Sequence, residues 1–362
     1  MKNFLFIIQF DSYAKTLIPV INQLLKNNHR CDVILLKQKF YKKPWLSNDI
    51  LLLFKNIKNN LDIFGFYSKR NSIKFINKNK YDVITIGTTY TALIEKIHKE
   101  LKKNNLKTKL VSGYVGALLS NNNDSFIKGV KRRAYTDLIW VPGQEAKDQI
   151  LLLNIVNNKK TKIATTGLPR IDELFNKRDL IENSKKNKII FFEQPTFPKT
   201  KQERIILVEK LIKLAEIYKN NDIIIKPRFH TKVGHAHRPK YLLQDILLNR
   251  NNKPKNIKIS NENIYDLFKQ CKLSLTISST AGLESLLVKI PTLFIKDFCN
   301  NENIYGSDDF KKFNAIVSFE NLYNKKIPQI NYESIFNTLR FDGKNTLRLT
   351  EELILLSNNN NY

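Results

Sequence analysis

The sequence predicts an α/β protein with two Rossmann-like domains, and three observations support this fold class. Short apolar runs that suit buried parallel strands alternate with amphipathic helical stretches along most of the chain. The alternation occurs in two series, the first starting at Phe4 and the second at Ile189, on either side of a polar stretch rich in lysine. The length of 362 residues accommodates two domains, each large enough to bury its own core.

The first series opens with a β-α-β unit. Phe4–Phe10 is predicted as a buried strand, Thr16–Lys26 as an amphipathic helix and Cys31–Leu36 as a second strand. Trp45–Phe66 follows as an amphipathic stretch, which we interpret as helices packing on the sheet or, alternatively, as a membrane contact. The remaining predicted elements are strands at Val83–Ile86, Lys109–Ser112 and Leu138–Val141 and a helix at Thr91–Leu101.

The second series repeats this alternation. Its predicted strands are Ile189–Phe192, Asp222–Ile225, Ile257–Ile259 and Leu273–Ile277, and its predicted helices are Gln202–Lys219 and Ile264–Gln270. We therefore predict a first domain over residues 1–175, a linker over 176–188, a second domain over 189–345, and a C-terminal helix and tail over 346–362.

The chain is strongly basic. It contains 61 Lys and Arg against 33 Asp and Glu, a formal net charge of +28, which suits nucleic acid, an anionic membrane or a phosphorylated substrate. The lysines are scattered through every segment without an Arg-rich tail, an RNA-binding signature or zinc-finger spacing, so we expect no nucleic-acid partner. Three widely spaced cysteines, Cys31, Cys271 and Cys299, indicate reduced thiols in a cytoplasmic protein.

The segment Leu273–Ile295 is the most informative part of the sequence. Its apolar start, Leu273–Ile277, ends abruptly at Ser278-Ser279-Thr280, and a helical pattern follows. A buried strand thus delivers hydroxyls and backbone N–H groups to the start of a helix, which is the outline of an anion site. Gly282 would allow close backbone approach, and Glu284 would lie within about the first turn. The alternative interpretation is an ordinary strand and capped helix of any α/β protein.

A second candidate loop, Lys226-Pro227-Arg228, follows the predicted strand Asp222–Ile225. Proline fixes the turn, so that Lys226 contributes a point charge and Arg228 a planar, bidentate group, an arrangement that suits phosphate. His230 would add a donor when protonated, and a solvated basic turn is the alternative. His235 and His237 lie close by in the sequence, but without a cysteine or carboxylate at ligand spacing we predict no metal.

The residues that directly follow the other predicted strands are further candidates, because ligands of a doubly wound sheet bind beyond the carboxyl ends of its strands. In the second domain these are Gln194, Pro195 and Thr196. In the first domain they are Asp11, Gly87, Thr88, Thr89 and Gly113. Asp11 has an alternative role as a helix cap or turn residue.

Three segments carry a resemblance to a known superfamily. Residues 278–291, S-S-T-A-G-L-E-S-L-L-V-K-I-P, resemble the donor-phosphate segment of bacterial glycosyltransferases with two facing Rossmann-like domains, the GT-B architecture. Capsule and lipooligosaccharide transferases of the sialyltransferase-like kind are the most similar. Residues 166–172, T-G-L-P-R-I-D, resemble the T-G-x-P-x-x-D junction of two-domain transferases and sugar-nucleotide epimerases. Lys226–His230 loosely resembles the histidine-proline motif of bacterial sialyltransferases, although the proline here precedes the basic residues.

The resemblance implies a cleft between two facing domains, with a nucleotide-sugar donor held by the second domain and a glycan acceptor by the first. It implies an inverting, metal-independent reaction without a cofactor besides the nucleotide-sugar. Asp11 would be the base, and Arg228 and His230 the other catalytic residues. The donor would contact Gln194, Pro195, Thr196, Lys226, Arg228, Ser278, Ser279, Thr280 and, at the ribose, Glu284. The acceptor side would hold Gly87, Thr88, Thr89 and Gly113.

The expected donor is a CMP-linked acid sugar such as sialic acid, because a cationic loop beside a serine pair suits both phosphate and carboxylate. UDP-sugars stay open as donors. The chain starts with a strand and helix pattern and not a signal peptide, and no apolar run approaches the roughly 18 residues that span a bilayer. We expect a cytoplasmic enzyme, held by its basic surface at the inner face of the membrane, where capsule or lipooligosaccharide acceptors lie.

Two other functions are consistent with the sequence. A sugar-nucleotide 2-epimerase of the same fold also suits the T-G-x-P-x-x-D segment. A non-enzymatic protein that binds membrane or nucleic acid through its charge alone is the alternative from a different class. Motifs typical of serine hydrolases, nucleoside triphosphatases and dinucleotide oxidoreductases are missing from the sequence, which disfavours those classes.

Overall fold

The computed structural model of the protein describes residues 1–36, 45–57, 61–66, 69–116, 124–156, 160–194, 197–228, 240–298 and 307–358. These residues form two compact units. The first contains Met1–Asp172 together with the C-terminal segment Asn337–Tyr362, and the second contains the described residues between Glu173 and Phe336. Residues 337–345, which we predicted as part of the second domain, thus cluster with the first unit.

The first unit is built on a seven-stranded parallel sheet with strand order β3-β2-β1-β4-β5-β6-β7. Its strands are β1 (Asn3–Ile8), β2 (Arg30–Leu36), β3 (Leu61–Phe66), β4 (Val83–Gly87), β5 (Lys109–Gly113), β6 (Leu138–Val141) and β7 (Lys162–Thr165). Its helices are α1 (Asp11–Lys26), α2 (Asn48–Lys55), α3 (Lys69–Lys78), α4 (Ala92–Lys103), α5 (Asp124–Arg133) and α6 (Gln144–Leu152), with the C-terminal helix given below.

The second unit is built on a six-stranded parallel sheet with strand order β10-β9-β8-β11-β12-β13. Its strands are β8 (Lys188–Phe192), β9 (Asp222–Lys226), β10 (Ile257–Ile259), β11 (Cys271–Thr276), β12 (Thr292–Ile295) and β13 (Ile316–Val317). The remaining helices of the chain are α7 (Asp172–Glu182), α8 (Lys201–Ile217), α9 (Leu243–Leu248), α10 (Ile264–Gln270), α11 (Thr280–Leu287), α12 (Ser307–Lys312), α13 (Phe319–Tyr323), α14 (Tyr332–Thr338) and α15 (Asn345–Asn358). The predicted fold class, two α/β domains with parallel sheets, is confirmed.

Both faces of the first sheet are covered by helices. On β1, Phe4, Phe6 and Ile8 pack in one cluster with residues of α1 and α15, whereas Leu5 and Ile7 pack with residues of α4 on the opposite face. A strand that is buried on both faces reads as a continuous apolar run. This is why β1 could be recognised from its sequence alone.

Two segments differ from their prediction. Trp45–Phe66 contains only one described helix, α2, and then the edge strand β3, which pairs with β2 along its whole length. The six residues of β3, L-D-I-F-G-F, are rich in residues that suit strands. The predicted linker over 176–188 is helical over residues 176–182, the C-terminal part of α7, whose Leu174 and Ile181 are both fully buried.

No helix in the described part of the chain is long and apolar enough to cross a membrane. Cys31 and Cys271 are buried free thiols, and burial raises the pKa of Cys271 to about 12. Cys299 lies outside the described residues.

Asp172, the last residue of the T-G-L-P-R-I-D segment, caps the C-terminal helix. Its Oδ1 accepts a hydrogen bond from the backbone N–H of Asn345 at 3.1 Å, and its Oδ2 accepts two from the N–H and hydroxyl of Thr346, each at 2.7 Å. These N–H groups begin α15. The carboxylate therefore satisfies donors that a helix start leaves unpaired and places a negative charge at the positive end of the helix dipole.

Gly167 of the same segment makes room for this contact. It has a φ of +80°, and a Cβ atom at this position would lie 2.0 Å from Oδ1 of Asn345. Asn345 is fully buried, and its Nδ2 donates to the carbonyl oxygens of Leu168 and Arg340. The glycine and the aspartate of the segment thus both serve the docking of α15 within the first unit.

Replacing Asp172 by alanine should therefore lower the free energy of unfolding by about 2 kcal/mol, because a buried cap with three hydrogen bonds is lost. Urea denaturation measures the change. Glu173→Ala is the matched control, since the Glu173 side chain is 62% exposed in its ion pair with Lys177. That variant should stay within about 0.5 kcal/mol of the parent. Equal effects of the two variants would contradict the capping role.

Candidate functional site

Three loops of the second unit lie side by side at the carboxyl edge of its sheet. They follow β8, β9 and β11, and β8 pairs with both of the other strands. The chain moves from β8 outward to β9 on one side and from β11 outward to β12 on the other. The edge between β8 and β11 is therefore the topological switch point, which is where ligands bind in open α/β sheets.

The loop after β11 carries the serine pair. Ser278 is 5% and Ser279 is 7% exposed. Ser279 is the N-cap of α11, and its Oγ accepts a hydrogen bond from the N–H of Ala281 at 3.3 Å. Its own N–H donates to Oγ1 of Thr276 at 3.1 Å. The strand, the cap and the helix start therefore agree with the predicted arrangement.

The start of α11 lies close to the sheet because two features of its sequence permit it. A Cβ atom on Gly282 would lie 2.8 Å from Cγ2 of Thr276 and 3.2 Å from the Phe294 ring. The Ser285 hydroxyl is fully buried and contacts the hydroxyls of Ser274 at 3.1 Å and Thr292 at 2.7 Å. This hydroxyl cluster links α11 to β11 and β12 beneath the serine pair.

Glu284 lies just past the first turn of α11. It is the fifth residue of α11, whose first turn contains no acidic residue, and it is 9% exposed. The helix begins at Thr280 after the N-cap Ser279, as predicted, so Glu284 lies about one turn into it. A role at the ribose stays a prediction.

A buried ion pair holds the loop after β8. Nη1 of Arg204 on α8 lies 2.7 Å from Oε1 of Glu193, and the two side chains are 1% and 2% exposed. The same guanidinium donates to three backbone carbonyls, those of Pro198 at 2.9 Å, Tyr241 at 2.7 Å and Gln194 at 3.2 Å. One side chain on α8 thus fixes three separate stretches of backbone.

Glu193 connects this loop with the loop after β9. Its carboxylate accepts backbone hydrogen bonds from Leu243 and Arg228, and its own N–H donates to the carbonyl of Lys226 at 3.1 Å. Burial raises the pKa of Glu193, and the Arg204 guanidinium opposes this shift. The backbone at Arg228 is therefore held by the acid that pairs with Arg204.

The polar side chains at this edge differ in exposure. Nε2 of Gln194 donates to Oγ of Ser278 at 3.4 Å, so the loops after β8 and β11 meet across the switch point. Lys226 is half-buried, and desolvation lowers its pKa although the charge of Glu262 opposes the shift. The Arg228 side chain is exposed. The carboxyl edge of the second sheet thus carries one partly desolvated cation, one exposed cation and the serine pair.

The candidates of the first unit lie at the carboxyl edge of the other sheet. Asp11 is the first residue of α1, and its Oδ1 accepts a hydrogen bond from the N–H of Ser47 at 2.9 Å. The buried Thr88 hydroxyl bonds to Oε1 of Gln9 and accepts from the N–H of Tyr90. Thr89 is exposed, whereas Gly87 ends β4 within the core.

Gly113 has a packing reason to be glycine. A Cβ atom there would lie 2.1 Å from the Trp140 ring, and its carbonyl oxygen lies 3.5 Å from the Tyr13 hydroxyl. Its place on the acceptor side stays a prediction.

The structure brings together six of the predicted donor-site residues in one unit, namely Gln194, Lys226, Arg228, Ser278, Ser279 and Thr280. Pro195, Thr196 and His230 lie outside the described residues. Sequence analysis missed Arg204, which reads as one of many basic residues on an amphipathic helix. The acid that follows β8, Glu193, was the available signal, since a buried carboxylate requires a partner.

Both serine hydroxyls act as acceptors within the protein, Ser278 from Gln194 and Ser279 from Ala281. No described residue accepts a hydrogen bond from either hydroxyl, so the O–H group of each serine can donate to an anion. Lys226 and Arg228 add positive charge at the same edge. In the described part of the chain, no three His, Cys, Asp or Glu residues cluster in a way that could hold a metal ion. The arrangement suits an oxyanion such as phosphate.

Comparison with known proteins agrees with this fold. A family model described as "Putative glycosyltransferase (DUF6716)" matches residues 4–333. None of the curated proteins is similar enough in sequence to match the chain.

Several solved structures share the fold. UDP-GlcNAc 2-epimerase of Methanocaldococcus jannaschii, in complex with UDP-GlcNAc and UDP, is 17% identical with a TM-score of 0.63, and the match covers 98% of this chain and 99% of that one. The Neisseria meningitidis UDP-GlcNAc 2-epimerase bound to UDP-GlcNAc is 14% identical with a TM-score of 0.63, over 98% and 100% of the chains. Arabidopsis thaliana UGT89C1 with UDP is 11% identical with a TM-score of 0.59, over 98% and 95%.

Because Glu193 would be left buried without its guanidinium, Arg204→Met should lower the free energy of unfolding by about 3–5 kcal/mol. Arg250→Met is the control, since the exposed Arg250–Glu209 pair contributes little. The double variant Arg204→Met with Glu193→Gln should recover part of the loss, because the buried charge is removed. Thermal and urea denaturation check these values. Similar stabilities of Arg204→Met and Arg250→Met would contradict the role of the pair.

Proposed function

The chain belongs to the DUF6716 glycosyltransferase family, and from this premise we propose that it transfers a sugar from a nucleotide-sugar to a glycan acceptor. The observation that carries the proposal is the serine pair at the switch point of the second sheet, at the same sheet edge as Lys226 and Arg228. These groups would bind the donor phosphate and neutralise the charge that develops on it as it leaves.

For the donor we propose a CMP-linked acid sugar such as sialic acid. The cationic loop and the serine pair suit a donor with both a phosphate and a carboxylate. The similar structures were solved with UDP or UDP-GlcNAc, which makes UDP-sugars the competing donors.

We propose that transfer inverts the anomeric carbon and needs no metal. The acceptor oxygen would bond to that carbon while its proton passes to a carboxylate. The bond from the carbon to the donor phosphate oxygen would break, and its electron pair would leave with the phosphate. Asp11, at the carboxyl edge of the first sheet, is the proposed base. His230 is proposed as a catalytic residue that, when protonated, donates a hydrogen bond to the donor phosphate.

The proposed acceptor is a capsule or lipooligosaccharide glycan, reached from the cytoplasmic side. The net charge of +28 would hold the enzyme at an anionic membrane surface. The exposed Leu52 and Leu53 of α2, which are 57% and 46% exposed, are the proposed contact.

A panel of CMP, UDP, GDP and CDP in a thermal-shift assay tests the proposed donor site. The matching nucleotide should raise the melting temperature, because it binds only the folded chain. If no nucleotide raises the melting temperature, the proposed donor site is wrong. If the protein is then also retained on DNA or anionic vesicles until moderate salt releases it, charge-driven binding without catalysis replaces the proposal.

Two substitutions localise the nucleotide. Arg228→Ala and Ser279→Ala should each weaken binding of the stabilising nucleotide by roughly tenfold or more, because each removes a hydrogen bond to a charged group. Arg250→Ala and Ser318→Ala are matched controls, an exposed arginine and another N-cap serine of the second unit. Calorimetric titration measures the affinities. Parent-like affinity in Arg228→Ala and Ser279→Ala would remove both residues from the site.

A sugar-nucleotide 2-epimerase is the second candidate, favoured by the resemblance of T-G-L-P-R-I-D to the junction of sugar-nucleotide epimerases and by the fold of the two epimerases. The two reactions differ in whether they require a glycan acceptor. With CMP-sialic acid or UDP-GlcNAc as donor and excess EDTA present, the transferase should release CMP or UDP faster when a glycan acceptor is added. Release of UDP and a free epimer at a rate independent of acceptor would establish the epimerase instead.

A further inference from the structure

Arg133, the last residue of α5, is a buried cation in the first unit. It is 5% exposed, and its guanidinium lies under the ring of Tyr114, with 4.1 Å between Cζ and the ring centre. Nη2 donates to the Tyr13 hydroxyl at 3.3 Å and Nη1 to the carbonyl of Gly129 at 3.4 Å. Both hydrogen bonds are long for a charged donor.

No carboxylate pairs with Arg133 among the described residues. Within residues 1–172, the segments outside the described residues contain neither Asp nor Glu. These segments are 37–44, 58–60, 67–68, 117–123 and 157–159. A buried charge is normally paired, because desolvation penalises it strongly. The guanidinium therefore has no counter-charge from residues 1–172.

Two donors of this cluster lack a hydrogen-bond partner. They are Nε of Arg133 and the hydroxyl of Tyr114, and both atoms are buried. The guanidinium carries five N–H groups in a fixed fork, and two of them make the hydrogen bonds named above. An oxyanion with two or more acceptor oxygens would satisfy the remaining donors and supply the missing charge.

The cluster lies where a ligand of this sheet is expected. Tyr114 directly follows β5, and the Tyr13 hydroxyl contacts the carbonyl of Gly113 at the end of that strand. β5 pairs with β4, and the space between β1 and β4 is the switch point of the first sheet. Tyr114 is only partly buried, so the cluster reaches the protein surface through this residue.

We propose that Arg133 and Tyr114 form a site for a small oxyanion, the carboxylate or phosphate group of the acceptor. The identity of the ligand as an acceptor rests on the proposed transferase function, whereas the binding of an oxyanion does not. Tyr13 positions the guanidinium, and the Tyr114 hydroxyl donates a second hydrogen bond to the anion.

A purely structural role is the competing explanation. The Tyr114 ring stabilises the cation through its π-face, and the Tyr13 hydroxyl oxygen accepts one hydrogen bond. These contacts are neutral, so they leave the charge and the two unpaired donors uncompensated. Direct binding measurements separate the two explanations.

Trp140 provides a local signal for this test. The chain has two tryptophans, and the Trp140 ring packs against Gly113, whereas Trp45 packs edge-on against Phe10. The full-length protein is labelled with ¹⁵N-tryptophan and titrated with sodium phosphate or with sodium acetate, and sodium chloride at equal ionic strength is the control. The NMR signal of the Trp140 indole N–H should shift and reach saturation. The anion whose titration reaches saturation, phosphate or acetate, identifies the ligand group as phosphate or carboxylate.

Three variants test whether the Trp140 shift arises from an anion bound at Arg133. Arg133→Met should weaken binding roughly tenfold or more, because it removes the charge-assisted hydrogen bonds. Arg132→Met is the matched control, since this neighbouring arginine points to Thr91 and should leave the affinity unchanged. Tyr114→Phe keeps the ring over the guanidinium and should weaken binding several-fold.

An unchanged Trp140 signal in the parent protein with both anions would overturn the proposal, as would an equal shift in Arg133→Met. If Arg133→Met does not fold, Tyr114→Phe decides, and parent-like affinity in that variant also overturns the proposal. Nucleotide binding by the second unit is measured separately, so failure here leaves the proposed transferase function standing.

Discussion

The buried pair of Arg204 and Glu193 is the interaction on which the candidate site depends most. The single side chain of Arg204 binds both the carboxylate of Glu193 and the backbone carbonyls of Gln194, Pro198 and Tyr241. Glu193 in turn accepts a hydrogen bond from the backbone of Arg228. Two loops with little regular structure therefore acquire fixed positions beside the serine pair. A buried pair of this kind adds little net stability compared with apolar residues, so its value lies in the geometry that it imposes.

The two sheets repeat one arrangement at their switch points. In each, a glutamine after the first strand meets a hydroxyl after the neighbouring strand, Gln9 with Thr88 in the first unit and Gln194 with Ser278 in the second. The side chains around these pairs differ in charge. Lys226 and Arg228 stand at the second edge, whereas Asp11 stands at the first. Cations at the second edge suit a donor phosphate and a carboxylate at the first edge suits proton removal, which agrees with the roles proposed for Lys226, Arg228 and Asp11.

Much of the fold was predictable from the sequence because strands buried on both faces read as continuous apolar runs, as in β1 and β8. The edge strand β3 was missed since it is short and follows a helix within one amphipathic stretch. The serine loop was recognisable because its N-cap and glycine are local features. The role of Arg204 was not, since its partners lie 6 to 37 residues away along the chain. Arg133 was missed for the same reason, because burial among distant tyrosines leaves no local pattern.

A crystal structure of the full-length protein with the stabilising nucleotide tests the central claim most directly. The account predicts that the nucleotide phosphate lies within hydrogen-bonding distance, about 3 Å, of the Ser278 and Ser279 hydroxyls and near Arg228. A phosphate bound elsewhere on the second unit, or on the first unit, would contradict the claim that these loops form the donor site.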